Sequence, residues 1–412
     1  MMLVVEPTIH GTGHSTINAG ILRALRAAFP QQPIRFAAEV EHCHEVQRLN
    51  APAPLSDCAY QTIAVAPLGA PPLRRAWRIW RLLRRLLATV DDGGPIYLLL
   101  TCINGPELHI AAWFARQARY RGRLWCHCLL HGPDAGAFTW RSRNPLVRRM
   151  DLMAAVLRPA DRHVRFLVLD AATLPPLEGL APGLTARSGV FQLSLLSQEG
   201  ADEGAEVLPG PPWRIALPGQ ATAAKGIHSF VRIANRLTAR YPGQFEFHLV
   251  GRLAADVADL ELGAVKPHAD RAQLRRAKAS QLPREVYLAL LKSMHYACLP
   301  YQGSYYHTGA SGVFYDAVNL RLPMLVMPAP HVRESFARFG DIGCLAEDEA
   351  ALEAAIAGLA TDAGPARYAA QRARLGLMRE HFLPEATGQS LRTWLSQDAP
   401  ALRAALDGPA GF

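Results

Sequence analysis

Short apolar runs alternate with longer amphipathic stretches along most of the chain. The apolar runs are typical of buried strands, and the stretches between them repeat apolar residues at the spacing of helices. Strand candidates in the first half are 2–6, 34–40, 62–67, 96–103, 124–130 and 165–170. Those in the second half are 213–219, 245–251, 295–301 and 323–328. Strands that alternate with helices predict parallel sheets covered on both faces.

A polar, acidic segment interrupts this alternation. Residues 197–212, "SQEGADEGAEVLPGPP", carry glycine and proline and are predicted to be a linker. We therefore expect an N-terminal lobe over 1–200, a C-terminal lobe over 201–385 and closing helices over 386–412. Each lobe is predicted to be α/β, with a doubly wound, Rossmann-like parallel sheet. Because ligands of such sheets bind beyond the carboxyl ends of the strands, the expected site is a cleft that both lobes face.

Composition narrows the class of protein. Half of the 412 residues are hydrophobic and 19% are charged, as in globular proteins. No apolar run reaches the length of a spanning helix and no signal peptide is evident, so we expect a cytoplasmic protein. The seven cysteines form no CxxC pair and are expected to be reduced. The histidines and cysteines show no second cluster at ligand spacing, so no metal site is predicted.

Positive charge is concentrated in the first half. Residues 1–200 contain 22 Lys and Arg against 14 Asp and Glu, whereas residues 201–412 contain 22 against 21. In "LRRAWRIWRLLRRLL" (73–87), a helix would place its arginines in one row and Trp77, Trp80, Leu83 and Leu87 on an apolar face. The row consists of Arg74, Arg78, Arg81 and Arg85.

Two interpretations of this helix stay open. A basic amphipathic helix with tryptophan is typical of peripheral attachment to the inner, anionic face of a cell membrane. The alternative is a helix that packs its apolar face on the sheet and leaves its arginines in water. No nucleic-acid-binding module is recognisable, so nucleic acid is not an expected partner.

Glycine-rich turns suggest where a ligand approaches the backbone. "HGTGHSTINAG" follows the first strand and includes Gly13 and His14, but it lacks the third glycine of a dinucleotide fingerprint. The chain also lacks the GxxxxGK[ST] pattern of P-loop enzymes. Neither a dinucleotide cofactor nor P-loop binding of a nucleotide is therefore expected, although a glycine-rich turn of this kind still lets a ligand approach the backbone.

The stretch "HTGASGVFYDAVNLRLPMLV" (307–326) places Ser311 and Gly312 where a helix begins. The unpaired amides of a helix start attract phosphate, although a serine there is also an ordinary N-cap. Lys225 and Gly226 stand at another helix start, where the lysine is either a phosphate ligand or a surface residue.

Three further residues are predicted to lie near these turns. His131 ends a strand in "LLHG" and faces the crevice unless its role is structural. Tyr301 and His307 precede the Ser-Gly turn and are expected to line the cleft on the acceptor side together with His14.

The order of these features resembles GT-B glycosyltransferases, in particular the large retaining nucleotide-sugar group (glycosyl transferases group 1). The order is a strand, a turn ending in Lys-Gly, "FHLVG", a strand ending in "PY", the Ser-Gly helix start, an acidic residue and "LPMLV". The resemblance extends over essentially the whole chain. It implies an acceptor lobe followed by a nucleotide-sugar donor lobe, with the last helices crossing back to the first lobe.

The resemblance also implies roles for individual residues. Lys225, with Gly226 and the amides at Ser311 and Gly312, would contact the donor diphosphate, and Asp316 would bind the ribose hydroxyls. Gly13 would lie near sugar and phosphates, and His131 near the transferred sugar. The chain departs from the family at two donor-site positions: Gln220 stands for an arginine and Thr308 for a glutamate.

The expected function is that of a metal-independent, hexosyltransferase-like enzyme without a cofactor. It would move a sugar from a nucleotide diphosphate sugar to a lipid-linked or polysaccharide acceptor in bacterial-type glycan and polysaccharide biosynthesis. A nucleotide-sugar epimerase shares the two-lobed fold and stays open as an alternative. So does a non-catalytic binding subunit, which the departures at Gln220 and Thr308 favour.

Overall fold

The structure is a computed structural model of the chain. It describes residues 1–51, 55, 57–67, 70–131, 144–151, 164–196, 207–268, 282–303, 305–361 and 363–408. The chain divides into two compact units. Unit 1 comprises residues 1–196, 308–310 and 382–412, and unit 2 comprises residues 197–307 and 311–381.

Unit 1 contains a parallel sheet with the strand order β3-β2-β1-β4-β5-β6-β7. Its strands are β1 (Met2–Val5), β2 (Ile34–Ala38), β3 (Ala59–Thr62), β4 (Ile96–Leu100), β5 (Leu124–Leu130), β6 (Val164–Val168) and β7 (Ser188–Val190). Its first helices are α1 (Ser15–Ala28), α2 (Val40–Asn50), α3 (Pro72–Val90), α4 (Gly105–Arg116), α5 (Pro145–Arg149) and α6 (Leu174–Leu180). The central strands are buried along their length because helices cover the sheet.

Unit 2 repeats the same order with the strands β10-β9-β8-β11-β12-β13, all parallel. These strands are β8 (Trp213–Ala221), β9 (Phe245–Leu253), β10 (Val265–Pro267), β11 (Tyr296–Leu299), β12 (Met324–Val326) and β13 (Gly343–Leu345). Its helices are α7 (Ile227–Arg240), α8 (Arg284–Lys292), α9 (Gly312–Asn319), α10 (Pro330–Phe339), α11 (Glu349–Ala357) and α12 (Gly364–Glu380).

The last helices, α13 (Pro384–Asp398) and α14 (Pro400–Asp407), belong to unit 1. Helix α13 lies so close to α1 that a Cβ on Gly388 would stand 2.6 Å from the Ala24 carbonyl oxygen. It also reaches the sheet edge, where a Cβ on Gly189 in β7 would stand 2.1 Å from the Trp394 ring. Small residues at both contacts therefore allow α13 to pack here.

The predicted fold class is confirmed, since both units are doubly wound parallel α/β structures. The predicted strand at 62–67 is wrong, because β3 covers Ala59–Thr62. Strand β2 ends at Ala38 because Glu39 caps α2 with its side chain, so β3 has no partner strand beyond that point. Residues 197–206 of the predicted linker lie outside the described residues.

Candidate functional site

The strand order of both sheets reverses at one point, between β1 and β4 in unit 1 and between β8 and β11 in unit 2. Loops after such strands are the usual ligand sites of doubly wound sheets. In unit 1, the loop after β1 carries Gly13 and His14. In unit 2, the loop after β8 carries Lys225, and the loop after β11 leads to Ser311. Each unit thus has candidate ligand-binding loops of its own.

Glycine fixes the turn after β8. Gly226 has φ 81°, and a Cβ there would stand 1.8 Å from the Pro300 carbonyl oxygen at the end of β11. A side chain at this position would collide with backbone, which explains why glycine follows Lys225. The turn therefore holds Lys225 against the loop that follows β11.

Lys225 lines a small pocket in unit 2. The pocket is formed by Leu217, Pro218, Gln220, Lys225, Leu299, Tyr301 and Val313. Burial lowers the pKa of Lys225 below its ordinary value, and the nearby Tyr305 phenol opposes this shift. Within the described residues, no carboxylate forms an ion pair with its ammonium group. A lysine that is desolvated without a counter-charge is a favourable partner for a bound anion.

The start of α9 borders the same pocket through Val313. Ser311 is the N-cap, and its side chain accepts a hydrogen bond from the Phe314 amide. The hydroxyls of Tyr301 and Ser311 are 2.6 Å apart, so the buried tyrosine fixes the cap. Both interpretations of the turn are thus compatible. Ser311 caps the helix, while the first amides of α9 retain their attraction for anions.

Asp316 lies one turn further along α9 and is already engaged. Its carboxylate accepts hydrogen bonds from Arg284 at 2.7 and 3.2 Å and from the Tyr287 hydroxyl at 3.1 Å. If Asp316 binds ribose hydroxyls, as the resemblance implies, its carboxylate must do so while it also accepts hydrogen bonds from Arg284 and Tyr287 of α8. This pairing connects α8 to α9.

The other predicted residues of this region are placed as follows. Gln220 is exposed at the pocket, where its neutral side chain supplies no charge for a phosphate. Thr308 is buried, and its hydroxyl has no hydrogen-bond partner in the described residues. His307 is exposed, whereas Tyr301 is buried beneath the helix start.

The sequence did not indicate His331. It is the second residue of α10 and is fully buried, with its ring 5.2 Å from that of Phe314 and 5.8 Å from that of Tyr306. Neither ring nitrogen has a hydrogen-bond partner in the described residues. Burial lowers its pKa to about 3. A neutral imidazole therefore packs among the aromatic rings behind the start of α9.

In unit 1, the structure brings two predicted residues together. His14 and His131 stack with ring centroids 4.9 Å apart and planes at 26°. Burial lowers the pKa of His14 to about 4, with repulsion from His42 as the second cause. Burial also lowers the pKa of His131 to about 3, with repulsion from His14 as the second cause. Both rings are therefore neutral near pH 7.

His14 has an unusual backbone conformation for a residue with a side chain. Its φ is 60°, in the left-handed region, and it directly precedes α1. Such a conformation costs free energy and persists only where the surroundings enforce it. Gly13 precedes it and stays partly open, with Ile9 as its nearest neighbour.

A basic surface covers the outer side of α3. Arg74, Arg81 and Arg85 are exposed and Arg78 is half-buried, as the predicted row requires. The assignment of Trp77 to the apolar face is wrong, because 54% of its surface is exposed and the Arg81 guanidinium lies 4.6 Å from its ring centroid. Leu83 and Leu87 are fully buried. Trp77 therefore stands among the arginines.

The inner side of α3 carries a different arginine. Arg75 is buried and pairs with Glu107 of α4 at 2.8 Å. On the same two helices, Trp80 contacts Trp113 of α4 with ring centroids 6.4 Å apart, and Trp113 is also exposed.

No helix in the described parts of the chain combines the length and hydropathy required to cross a bilayer. The described residues also contain no cluster of three or more potential metal ligands.

Comparisons with known proteins give structural matches alone. No family model matches the chain, and no curated protein sequence matches it. Anabaena HepE, solved in complex with UDP and glucose, superposes with a TM-score of 0.63 at 12% identity, covering 96% of this chain and 99% of that one. A glycosyltransferase from Rickettsia africae gives 0.63 at 10% identity, covering 96% and 98%.

An α,α-trehalose-phosphate synthase (UDP-forming) from Burkholderia vietnamiensis gives a TM-score of 0.57 at 12% identity, covering 97% of this chain and 98% of that one. At these identities the matches establish the fold and not the activity. Because they span nearly the full length of both chains, the fold of this chain is the GT-B fold that the sequence indicated.

Proposed function

We propose that the chain is a glycosyltransferase that moves a sugar from a nucleotide diphosphate sugar to a lipid-linked or polysaccharide acceptor. The observation that carries this proposal is the pocket in unit 2, where Lys225 and the start of α9 meet. A desolvated lysine and unpaired helix amides are suited to a diphosphate. The UDP in the HepE crystals supports UDP-sugars as the first donors to test.

The chemistry follows from charge. When the bond between sugar and diphosphate breaks, negative charge develops on the departing phosphate. Lys225 and the amides of α9 would stabilise that charge without a metal ion, because their positive charge and dipoles are held in place by the fold. The exposed Gln220 adds no charge, so a larger share of the stabilisation falls to Lys225.

In unit 1, the proposal assigns roles to the paired histidines. His131 would contact the transferred sugar, and His14 would contact the acceptor. Two neutral rings provide hydrogen-bond donors and acceptors for hydroxyl groups and do not repel each other electrostatically, as two imidazolium ions would.

We also propose that the outer side of α3 binds an anionic membrane surface, where a lipid-linked acceptor would be found. The exposed arginines supply attraction to anionic headgroups, and Trp77 is the residue type that favours the interfacial layer. This surface would place the enzyme at the membrane as a peripheral protein.

Substituting Lys225→Ala tests the donor site. Turnover of the true nucleotide sugar should fall by roughly a hundredfold or more, which is the effect of removing one group that stabilises a developing charge. The free energy of unfolding should stay within about 0.5 kcal/mol of the wild type or rise, because the substitution removes a desolvated charge. Initial rates with a panel of UDP-sugars and denaturant unfolding measure both quantities.

Lys266→Ala is the matched control, since that lysine on the edge strand β10 is exposed, pairs with Glu246 and does not line the pocket. It should leave turnover unchanged. Full activity of Lys225→Ala on the true donor would contradict our placement of the diphosphate. Conversion of the donor to an isomeric sugar would establish an epimerase, and nucleotide binding without turnover would establish a binding subunit.

The membrane proposal has its own test. Changing Arg74, Arg78, Arg81 and Arg85 together to glutamine should abolish most binding to anionic vesicles, and added salt should weaken wild-type binding. The control changes four exposed arginines of unit 2 to glutamine and removes the same charge: Arg240, Arg338, Arg367 and Arg374. It should have little effect on vesicle binding. Equal wild-type binding to neutral and anionic vesicles in sedimentation assays would refute the electrostatic attraction.

A further inference from the structure

A fully buried carboxylate lies next to the loop that carries His14. Glu6 directly follows β1, and its side chain has no contact with solvent. Its Oε1 accepts hydrogen bonds from the backbone amides of Thr8 at 3.0 Å and Ile9 at 3.1 Å. These amides belong to the segment that leads from β1 to His14. Glu6 therefore fixes the first part of that segment.

The second oxygen of Glu6 reaches towards the other histidine. Its Oε2 accepts a hydrogen bond from the Thr101 hydroxyl at 2.9 Å. Thr101 directly follows β4, and its backbone carbonyl accepts a hydrogen bond from His131. One carboxylate is thus connected to both stacked histidines, through the loop on one side and through Thr101 on the other.

Helices α1 and α2 complete the network. The Asn18 amide donates to Glu6 Oε2 at 3.3 Å and to His42 Nε2 at 2.8 Å. Because Nε2 accepts, the ring proton is on Nδ1, which donates to the Gly11 carbonyl at 2.9 Å. The Gly11 amide donates to Glu39 Oε2 at 3.3 Å. Both backbone groups of the turn glycine are therefore held by the start of α2.

The network also accounts for the two costly features of this region. A buried carboxylate is tolerated when donors fill its acceptor sites, and all four partners of Glu6 are donors. The left-handed conformation of His14 is tolerated when its flanking backbone is fixed. Gly11, three residues earlier, has φ 66° and is the point at which His42 holds the turn.

We infer that Glu6 and His42 are positioning residues that hold His14 opposite His131 for the reaction. This inference rests on the proposed function, since the two histidines act there on sugar and acceptor. Neither Glu6 nor His42 touches the reacting groups. They act by fixing the backbone of the turn and the carbonyl that orients His131.

Two variants disrupt the network at different points. Glu6→Gln places an amide group among four donors, and His42→Phe removes both bonds of the ring at similar volume. His42→Gln retains a donor for the Gly11 carbonyl and serves as the rescue variant. His127→Phe is the matched control, since His127 is a buried histidine of the same unit that bonds to the Tyr97 hydroxyl and does not contact the turn.

The first readout is independent of activity. Histidine-labelled full-length protein is titrated by NMR, with the His14 signal assigned from a His14→Gln variant. The pKa of His14 is about 4 in the intact network. In Glu6→Gln and His42→Phe, the turn relaxes and the ring gains solvent, so this pKa should rise towards its ordinary value of about 6.5. His127→Phe should keep it low. His42→Gln loses only the repulsion from the His42 ring, so its His14 pKa should stay well below that of His42→Phe.

The second readout is steady-state kinetics with the UDP-sugar donor. Displaced rings should lower kcat by about tenfold or more while donor KM changes little, because the donor phosphates bind in unit 2. His42→Gln should recover most of the turnover. His127→Phe should lose stability without this loss of kcat.

Unchanged titration and unchanged kcat in folded His42→Phe would overturn the inference, and this variant decides the matter if Glu6→Gln does not fold. A wild-type protein that is inactive on every nucleotide sugar would instead refute the proposed function. In that case the titration still decides whether Glu6 and His42 hold the turn.

Discussion

The imidazole of His331 occupies a place where a hydrocarbon ring would do equally well. It is fully buried among Tyr301, Tyr306 and Phe314, and neither nitrogen has a hydrogen-bond partner in the described residues. Desolvated polar atoms cost about 1–3 kcal/mol each when unpaired. His331→Phe should therefore raise the free energy of unfolding at pH 7 by about 1 kcal/mol or more. Urea denaturation measures the change.

His127 provides the contrasting case for that experiment. It is equally buried, but its Nδ1 lies 2.9 Å from the Tyr97 hydroxyl. His127→Phe leaves this hydroxyl without its partner and should lower stability by about 1–3 kcal/mol. If both variants were destabilised alike, the nitrogens of His331 would have partners that matter, and our interpretation of the aromatic cluster would be wrong.

At the residue scale, the sequence could indicate side chains whose position follows from a local pattern. Lys225 and Ser311 each stand at a strand-turn-helix junction, so the two loops that carry them were predictable. The pairing of Arg284 with Asp316 joins residues 32 positions apart, and no local pattern specifies it. The same holds for Glu6, whose partners come from three different segments.

Helix α3 shows how a prediction can be right for an element and wrong for one of its faces. The helical spacing of its arginines predicted the exposed row, and Leu83 and Leu87 are buried as expected. Trp77 differs because α4 covers the helix next to Trp80, where Trp113 packs, and not next to Trp77. Neighbouring helices, which helical periodicity does not specify, decide where the apolar face ends.

The exposed tryptophan leads to a prediction for this element. Trp77→Gln should weaken binding to anionic vesicles by about tenfold, because transfer of a large aromatic side chain out of water is worth roughly 1.5–3 kcal/mol. This contribution should persist at high salt, unlike that of the arginines. Vesicle sedimentation at two salt concentrations separates the two effects.

Leu377→Gln is the control for the tryptophan variant, since Leu377 is a similarly exposed apolar side chain on α12 of unit 2. It should bind vesicles as the wild type does. If Trp77→Gln bound equally well, the membrane surface would not include the outer side of α3 at this position.

The shortest edge strands could not be predicted from the periodicity of the sequence. Strands β7, β10 and β13 span three residues each and were not predicted. A period of two cannot be recognised over so few positions. Such edge strands form because a neighbour already offers its backbone groups, as β12 does for β13. The strands inside the sheets lie in longer, mainly apolar runs of the sequence and were predictable.

Across the whole molecule, the alternation of strands and helices was sufficient to predict two parallel sheets, since such sequences have few other ways to bury their strands. Which strands form the switch point depends on strand order, which the sequence pattern left open. The local pattern placed Lys225, His14 and His131 after strand ends, and only the family resemblance supplied roles for them.

Both units contain histidines that stay neutral when folded, which makes the stability of the whole protein sensitive to mild acid. Burial lowers the pKa of His127 in unit 1 and of His331 in unit 2 to about 3, well below the ordinary value. Below about pH 6.5 these groups bind protons in the unfolded chain but not in the folded one. The unfolded state therefore gains protons, and folding stability falls as pH decreases.

The expected slope is about 1.4 kcal/mol per pH unit for each such histidine between about pH 6.5 and pH 4.5. Carboxylates with lowered pKa, such as Glu349 at about 2, contribute only at lower pH. The buried Glu6, whose pKa is raised by burial, acts in the opposite direction near its own titration. Urea unfolding at pH 7, 6 and 5 measures the slope, and His331→Phe should make it shallower by one histidine's share. A stability that is flat over this range would show that the buried rings are protonated in the folded protein or exposed to solvent.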